Sequence, residues 1–238
     1  MRLVLAAMMA LWALPARAES QRSGSFELRF STYRPDIDSE FGGAATPWAD
    51  SFGTSRGLLV QALFARSLLM TDTVTLDLGF GAGYWEKYGS SVCGPPACPT
   101  VRTGDSSSMR VIPLTLAATA RLDWLMYKAG VPLAPYARLS LHDYLWWTYE
   151  GGGGVSVAGG GQRGNGQTMG WSVTGGLGLA LDFLDTQLAR EMDFDTGINH
   201  TILFVDVTKA WIDDFGSKSS WNLSPDALQW NLGLLFVF

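Results

Sequence analysis

Apolar and polar residues alternate one by one along much of this chain, which is the period of a β-strand whose two faces meet different surroundings. Residues 73–84 are the clearest case. Val74, Leu76, Leu78, Phe80, Ala82 and Tyr84 share one face, and Thr73, Thr75, Asp77, Gly79, Gly81 and Gly83 share the other. Residues 168–183 repeat the pattern, with Met169, Trp171, Val173, Leu177, Leu179, Leu181 and Phe183 opposite Thr168, Ser172, Thr174, Gly176, Gly178 and Asp182. At the C-terminus Leu228, Trp230, Leu232, Leu234, Phe236 and Phe238 alternate with Gln229, Asn231 and Gly233. Shorter versions occur at Phe26, Leu28 and Phe30 against Glu27, Arg29 and Ser31, and over residues 110–122 and 135–147. Residues 198–209 are mixed, and 56–66 are apolar on both faces. Eight strands result.

The spacers between them alternate in length. Residues 33–55, 85–109, 148–167 and 210–227 are long, whereas 67–72, 123–134 and 184–197 are shorter. An eight-stranded antiparallel transmembrane β-barrel in an up-and-down meander accounts for that rhythm. It has short periplasmic turns, four long extracellular loops and both chain ends on the periplasmic side. A soluble barrel of the lipocalin kind would instead point its apolar face inward. Aromatic residues at the strand ends favour the membrane. Tyr84, Trp85, Trp146, Trp147, Trp171, Trp211 and Trp230 fall at the expected outer rim, and Phe26, Trp124, Phe183, Phe236 and Phe238 at the inner rim. Amphipathic rings prefer the headgroup layer, so two aromatic girdles are expected. Composition agrees: 47% of residues are hydrophobic, 12% aromatic and only 16% charged, against roughly 25% charged in ordinary globular chains. A net charge of −5 with four lysines speaks against nucleic acid as a partner, because phosphate binding needs clustered cations.

The first eighteen residues read as an export signal: Arg2, an apolar stretch from Leu3 to Leu14, and the small-x-small site Ala16-Arg17-Ala18. That stretch is too short to span ~30 Å of hydrocarbon. Residues 1–18 are thus expected to be removed, leaving 19–238 as one outer-membrane barrel domain in a Gram-negative envelope. In an exported chain, Cys93 and Cys98 around Gly-Pro-Pro-Ala are expected to form a disulfide that pins one loop.

With the leucine face toward lipid, Glu27, Arg29, Asp77, Arg110, Arg121, Arg138 and Asp182 are expected to line the lumen. Eight strands leave room for packed side chains and not for an open aqueous channel. Charges in that space should pair, because a lone buried charge is costly.

Several segments carry a family resemblance. They are Tyr33-Arg34-Pro35-Asp36-Ile37-Asp38-Ser39-Glu40-Phe41-Gly42-Gly43, Val131-Pro132-Leu133-Ala134-Pro135-Tyr136-Ala137-Arg138-Leu139, Trp146-Trp147, Gly197-Ile198-Asn199-His200-Thr201 and the terminal Phe238. Together they resemble a myxobacterial-type family of predicted outer-membrane β-barrel proteins. The resemblance implies a location and a fold, and no functional residue comes with it. Trp230, Leu232, Leu234, Phe236 and Phe238 also resemble the C-terminal signal read by the outer-membrane barrel assembly machinery. That machinery, with outer-membrane lipid and lipopolysaccharide, makes up the expected partners.

Three constellations invite a chemical reading. His200, beside Thr201 and near Asp193 and Asp195, resembles a fragment of the His–Ser–acid set of outer-membrane lipid A deacylases, which are also eight-stranded barrels. Neighbours on a strand face opposite ways, however, so His200 and Thr201 do not share a site. Asp36, Asp38 and Glu40 alternate, and on extended backbone would form a hard-cation cluster. The glycines of 151–154 and 159–161 lie between strands with only Arg163 nearby, which is a loop and not a phosphate cradle. No cofactor is expected. The reading is a structural or surface-binding membrane protein with a plugged polar lumen; a narrow pore for small solutes and a lipid-modifying hydrolase are the alternatives.

Overall fold

The computed structural model describes residues 22–93, 101–157, 161–217 and 219–238. Eight strands run in chain order: β1 (Gly24–Tyr33), β2 (Gly57–Met70), β3 (Val74–Cys93), β4 (Val101–Leu122), β5 (Leu133–Glu150), β6 (Asn165–Ala180), β7 (His200–Trp211) and β8 (Gln229–Val237). Each pairs antiparallel with the next. β8 returns to β1 through pairs such as Phe26↔Phe236 and Phe30↔Leu232, so the sheet is a closed eight-stranded meander. Closure leaves no edge, and backbone donors and acceptors are satisfied around the ring.

The pleat sorts the side chains by chemistry. Phe64 is 58% exposed and Leu139 56%, whereas Ser140 is 3% and Ser172 1% exposed. Leucine, valine and phenylalanine stand on the outside, and serine, threonine and charge on the inside. This inverts the arrangement of a water-soluble core. Among the described residues no helix is long and apolar enough to cross a membrane.

The turns at the rim where β1 begins and β8 ends are built from local hydrogen bonds. The Thr71 hydroxyl accepts from the amides of Thr73 (3.3 Å) and Val74 (2.9 Å), which folds β2 tightly into β3. Two connections on this near rim contain helices: α2 (Trp124–Tyr127) between β4 and β5, and α3 (Thr186–Thr196) between β6 and β7. Asp185 caps α3 by accepting from the amides of Gln187 and Leu188, each at 3.0 Å, and Gly197 ends it at φ +73°.

The far rim departs further from the sequence reading. Residues 85–109 are expected to be a long loop, but β3 and β4 continue as a hairpin out to the pair Cys93↔Val101. Hydroxyl and apolar residues on both faces hide that extension from a two-sided pattern. The Cys93 side chain and Cys98 lie outside the described residues, as does the expected signal segment 1–18.

The spacer after β1 folds back onto the mouth through a 3-10 turn (Ile37–Phe41) and helix α1 (Pro47–Phe52). Trp48 of α1 meets Trp85 at 5.9 Å between ring centroids, and Trp85 meets Tyr33 edge-on at 5.2 Å. Ile37, Met109, Tyr144, Trp146, Ile212 and Leu223 also belong to this apolar cluster. Trp85 and Trp146 therefore leave the outer girdle in which the sequence placed them, being 0% and 7% exposed. Their position in the strand explains it. Trp85 shares its face with Gly83 and Asp77, and Trp146 shares its face with His142 and Arg138, so both point inward beneath the loops.

Candidate functional site

The inward-facing strand residues meet in the middle of the barrel. Glu27 and Arg29, two apart on β1, share one face. Arg138 on β5 reaches Glu27 with two hydrogen bonds, at 2.5 and 3.0 Å. Arg29 donates to the same carboxylate at 2.9 Å and reaches Asp206 of β7 at 2.9 Å. Asp206 in turn accepts from the Tyr136 hydroxyl (2.5 Å) and the Asn231 amide (2.6 Å). Two arginines and two carboxylates thus form one neutral chain across the lumen. Its bidentate geometry is the strongest form an arginine–carboxylate contact takes. The Tyr136 ring fits because Gly176 faces it, where a Cβ would come within 2.6 Å of that ring.

A second cluster lies toward the near rim. Arg121 pairs with Asp123 at 2.8 Å and lies 3.8 Å from Asp77, and the hydroxyls of Thr75 and Ser67 donate to Asp123 and Asp77. Toward the far rim, His142 bridges Ser172 (2.8 Å) and Thr115 (3.0 Å) through its two ring nitrogens. Between these groups remain cavities of about 20 and 40 Å³. Those volumes hold a few waters at most.

The structure thus places Glu27, Arg29, Asp77, Arg121 and Arg138 inside the barrel. Two further charges expected there belong elsewhere. Arg110 has the same parity as Ile112 and Leu114, so it points outward at the far rim, bonds Glu86 at 2.6 Å and lies over the Tyr149 ring at 4.7 Å. Asp182 lies two residues past the end of β6, at the near rim, because the strand stops at Ala180. It accepts from His200 Nδ1 at 2.6 Å and from the Thr201 amide at 3.2 Å.

His200 therefore pairs with Asp182 and not with Asp193 or Asp195. Its Nε2 meets the Tyr127 hydroxyl at 2.5 Å, and Arg22 donates to that hydroxyl at 2.7 Å. These bonds tie α2 across the near mouth, where Met126 packs against Ala180, Ile202 and Val237. His200 borders neither lumen cavity.

Asp36, Asp38 and Glu40 do not form the carboxylate cluster that extended backbone would give. The chain turns into a 3-10 helix at Ile37. Asp38 accepts from the amides of Trp48 (2.7 Å) and Ala49 (3.1 Å) and so caps α1 from a distance, while Glu40 accepts from the Asn222 amide. Among the described residues no group of three His, Cys, Asp or Glu side chains converges as a metal site.

On β8, Trp230, Leu232, Leu234 and Phe236 stand on the outer face, and the Phe238 ring meets Phe64 at 5.8 Å. Reading by alternation passes over Asp206 and Asp123, and it sets Tyr136 and His142 on the polar face of 135–147 beside Arg138 without naming them among the lumen residues. Asp206 shares its face with Thr208, but β7 carries Phe204 inside and Leu203 and Val205 outside, so apolar residues blur its two faces.

No protein-family model and no curated protein sequence matches the chain. Among solved structures it is similar to Neisserial surface protein A, at 10% identity over 91% of this chain and 95% of that one, TM-score 0.43. It is also similar to OprG from Pseudomonas aeruginosa, at 10% identity over 92% and 98%, TM-score 0.46. A third is Ail, the attachment invasion locus protein of Yersinia pestis, in complex with the heparin analogue sucrose octasulfate, at 10% identity over 91% and 97%, TM-score 0.39. The eight-stranded closure stands on this chain's own strand registers.

Proposed function

We propose that this chain is an integral protein of a bacterial outer membrane, a sealed barrel with a structural or surface-binding role at the cell exterior. One observation carries the reading: an apolar outer surface surrounds a lumen of paired charges that is stoppered at both ends. In water so large an apolar surface would drive association. In hydrocarbon it costs nothing, and the closed ladder satisfies the backbone without solvent. The plugged rim then faces the exterior, and the rim with the chain ends faces the periplasm. Residues 1–18 would direct export, and the outward row ending at Phe238 would be offered to the barrel assembly machinery. Lipopolysaccharide would surround the far rim.

A solute path would have to open the Arg138–Glu27–Arg29–Asp206 chain and lift the Trp48–Trp85 plug together, which favours the structural or binding role over a pore. The hydrolase alternative would need His200 to reach a substrate, and that residue is engaged with Asp182 and Tyr127. Fractionation tests the location. The protein should remain in the outer-membrane pellet after alkaline extraction and run as a heat-modifiable band on gels. Recovery in the soluble periplasmic fraction would overturn the proposal.

A further inference from the structure

At the far rim, the segment between β5 and β6 and the segment between β7 and β8 stand apart around an open cleft of about 840 Å³. That is within the size range of small-ligand sites. Trp146 of β5 and Trp221 of the segment between β7 and β8 build part of its wall. Trp221 stacks on Trp146 with centroids 4.5 Å apart and planes 10° from parallel. Trp146 covers one face of Trp221, which is 36% exposed. Trp146 is itself 7% exposed, and its indole Nε1 has no hydrogen-bond partner. Gly166, another lining residue, lies against that indole edge, where a Cβ would come within 2.7 Å of the ring.

Besides Val157 and two glycines, the remaining described lining residues are polar: amides such as those of Gln162 and Asn165, hydroxyls such as that of Ser156, and Arg163 as the one charged residue among them. Gln162 and Asn165 are exposed. The cleft wall is held in place beneath them. The Gly164 amide donates to the Ser156 carbonyl at 2.7 Å, and the Ser220 hydroxyl donates to the Gln167 carbonyl at 2.8 Å.

We propose that this cleft binds a neutral pyranose oligosaccharide. A pyranose ring has an apolar C–H face that lies flat on an indole, and a fringe of hydroxyls that both donate and accept. Trp221 supplies the flat surface. The amides of Gln162 and Asn165 match hydroxyls in both senses, since each carries a donor and an acceptor group. With one cation among its described lining residues, the site favours a neutral chain over a densely sulfated or phosphorylated one. The proposal rests on the surface-binding reading above and names its ligand class.

The test uses the full-length protein folded in a detergent without a sugar headgroup, titrated by calorimetry with maltohexaose, cellohexaose and chitohexaose. A heparin-derived octasaccharide serves as the anionic comparison. At least one neutral hexasaccharide should bind. Trp221→Ala should weaken it tenfold or more with unchanged heat-modifiable mobility, and Trp221→Phe should weaken it less. If Trp221→Ala does not fold, Asn165→Leu, at an exposed position, should still weaken binding severalfold. Absence of binding by all three neutral probes overturns the proposal. So does binding that neither Trp221 nor Asn165 substitution alters, or tighter Trp221-dependent binding of the heparin octasaccharide. Because binding is read on purified protein, its failure leaves the membrane location standing, and failure of fractionation leaves the binding result intact.

Discussion

Glu27 and Arg138 show what one side chain contributes when it is buried among charges. Each is held by the other and by neighbours in a space with little water, so removing one partner strands the other. Arg138→Met should destabilise the barrel by about 3–5 kcal/mol, the usual result of breaking a buried ion pair from one side. Adding Glu27→Leu should restore much of that loss, because Arg29 and Asp206 then remain as a balanced pair at 2.9 Å. Urea titrations followed by the gel shift of folded against unfolded protein measure both variants. A double variant no more stable than the single one would contradict the pairing. At this scale the sequence is legible wherever parity is counted strictly. Glu27, Arg29 and Arg138 follow from their polar face, and Arg110 does not, because the sequence reading sets it opposite Ile112 and Leu114 although it shares their parity on the leucine face of β4. His200 is legible as a residue near a carboxylate, but its partner Asp182 is eighteen residues away, and only the β6–β7 register brings the two together.

Strands carry a membrane barrel's identity in their alternation, and they were read best where one face is wholly apolar. β3, β6 and β8 follow from that rule, while β7 is blurred by Phe204 on its inner face. Where β3 and β4 rise past the apolar band, hydroxyl and apolar residues mix on both faces, and nothing in the local pattern separates hairpin from loop. The outward face makes a direct prediction. Leu139 stands mid-strand on β5, paired with Ala118 and Val173 and 56% exposed on the apolar surface. Leu139→Arg should lower folding stability in phosphatidylcholine bilayers by about 2–4 kcal/mol, the cost of a guanidinium near the midplane. Equal stability of the variant and the parent in bilayers would mean that this face does not meet lipid.

For the molecule as a whole, the two ends are closed by different means, and neither closure is a strand property. The far mouth is filled by Trp48, Ile37 and Leu223, which come from spacers that the alternation treats as loops. Their apolar residues gain burial only once the barrel has brought Trp85 and Tyr33 into place. The near mouth is crossed by α2, tied through Tyr127 to His200, a contact spanning 73 residues that local spacing does not encode. Fold and facing were thus legible from period-2 patterning, whereas the stoppers were not. The account stands or falls on whether the lumen is sealed. Planar-bilayer recordings of the purified, folded protein in 1 M KCl test it most directly. Protein delivered to the bilayer from liposomes in which its folded, heat-modifiable form has been verified should give no conductance steps. Reproducible ohmic steps from the intact protein would contradict it.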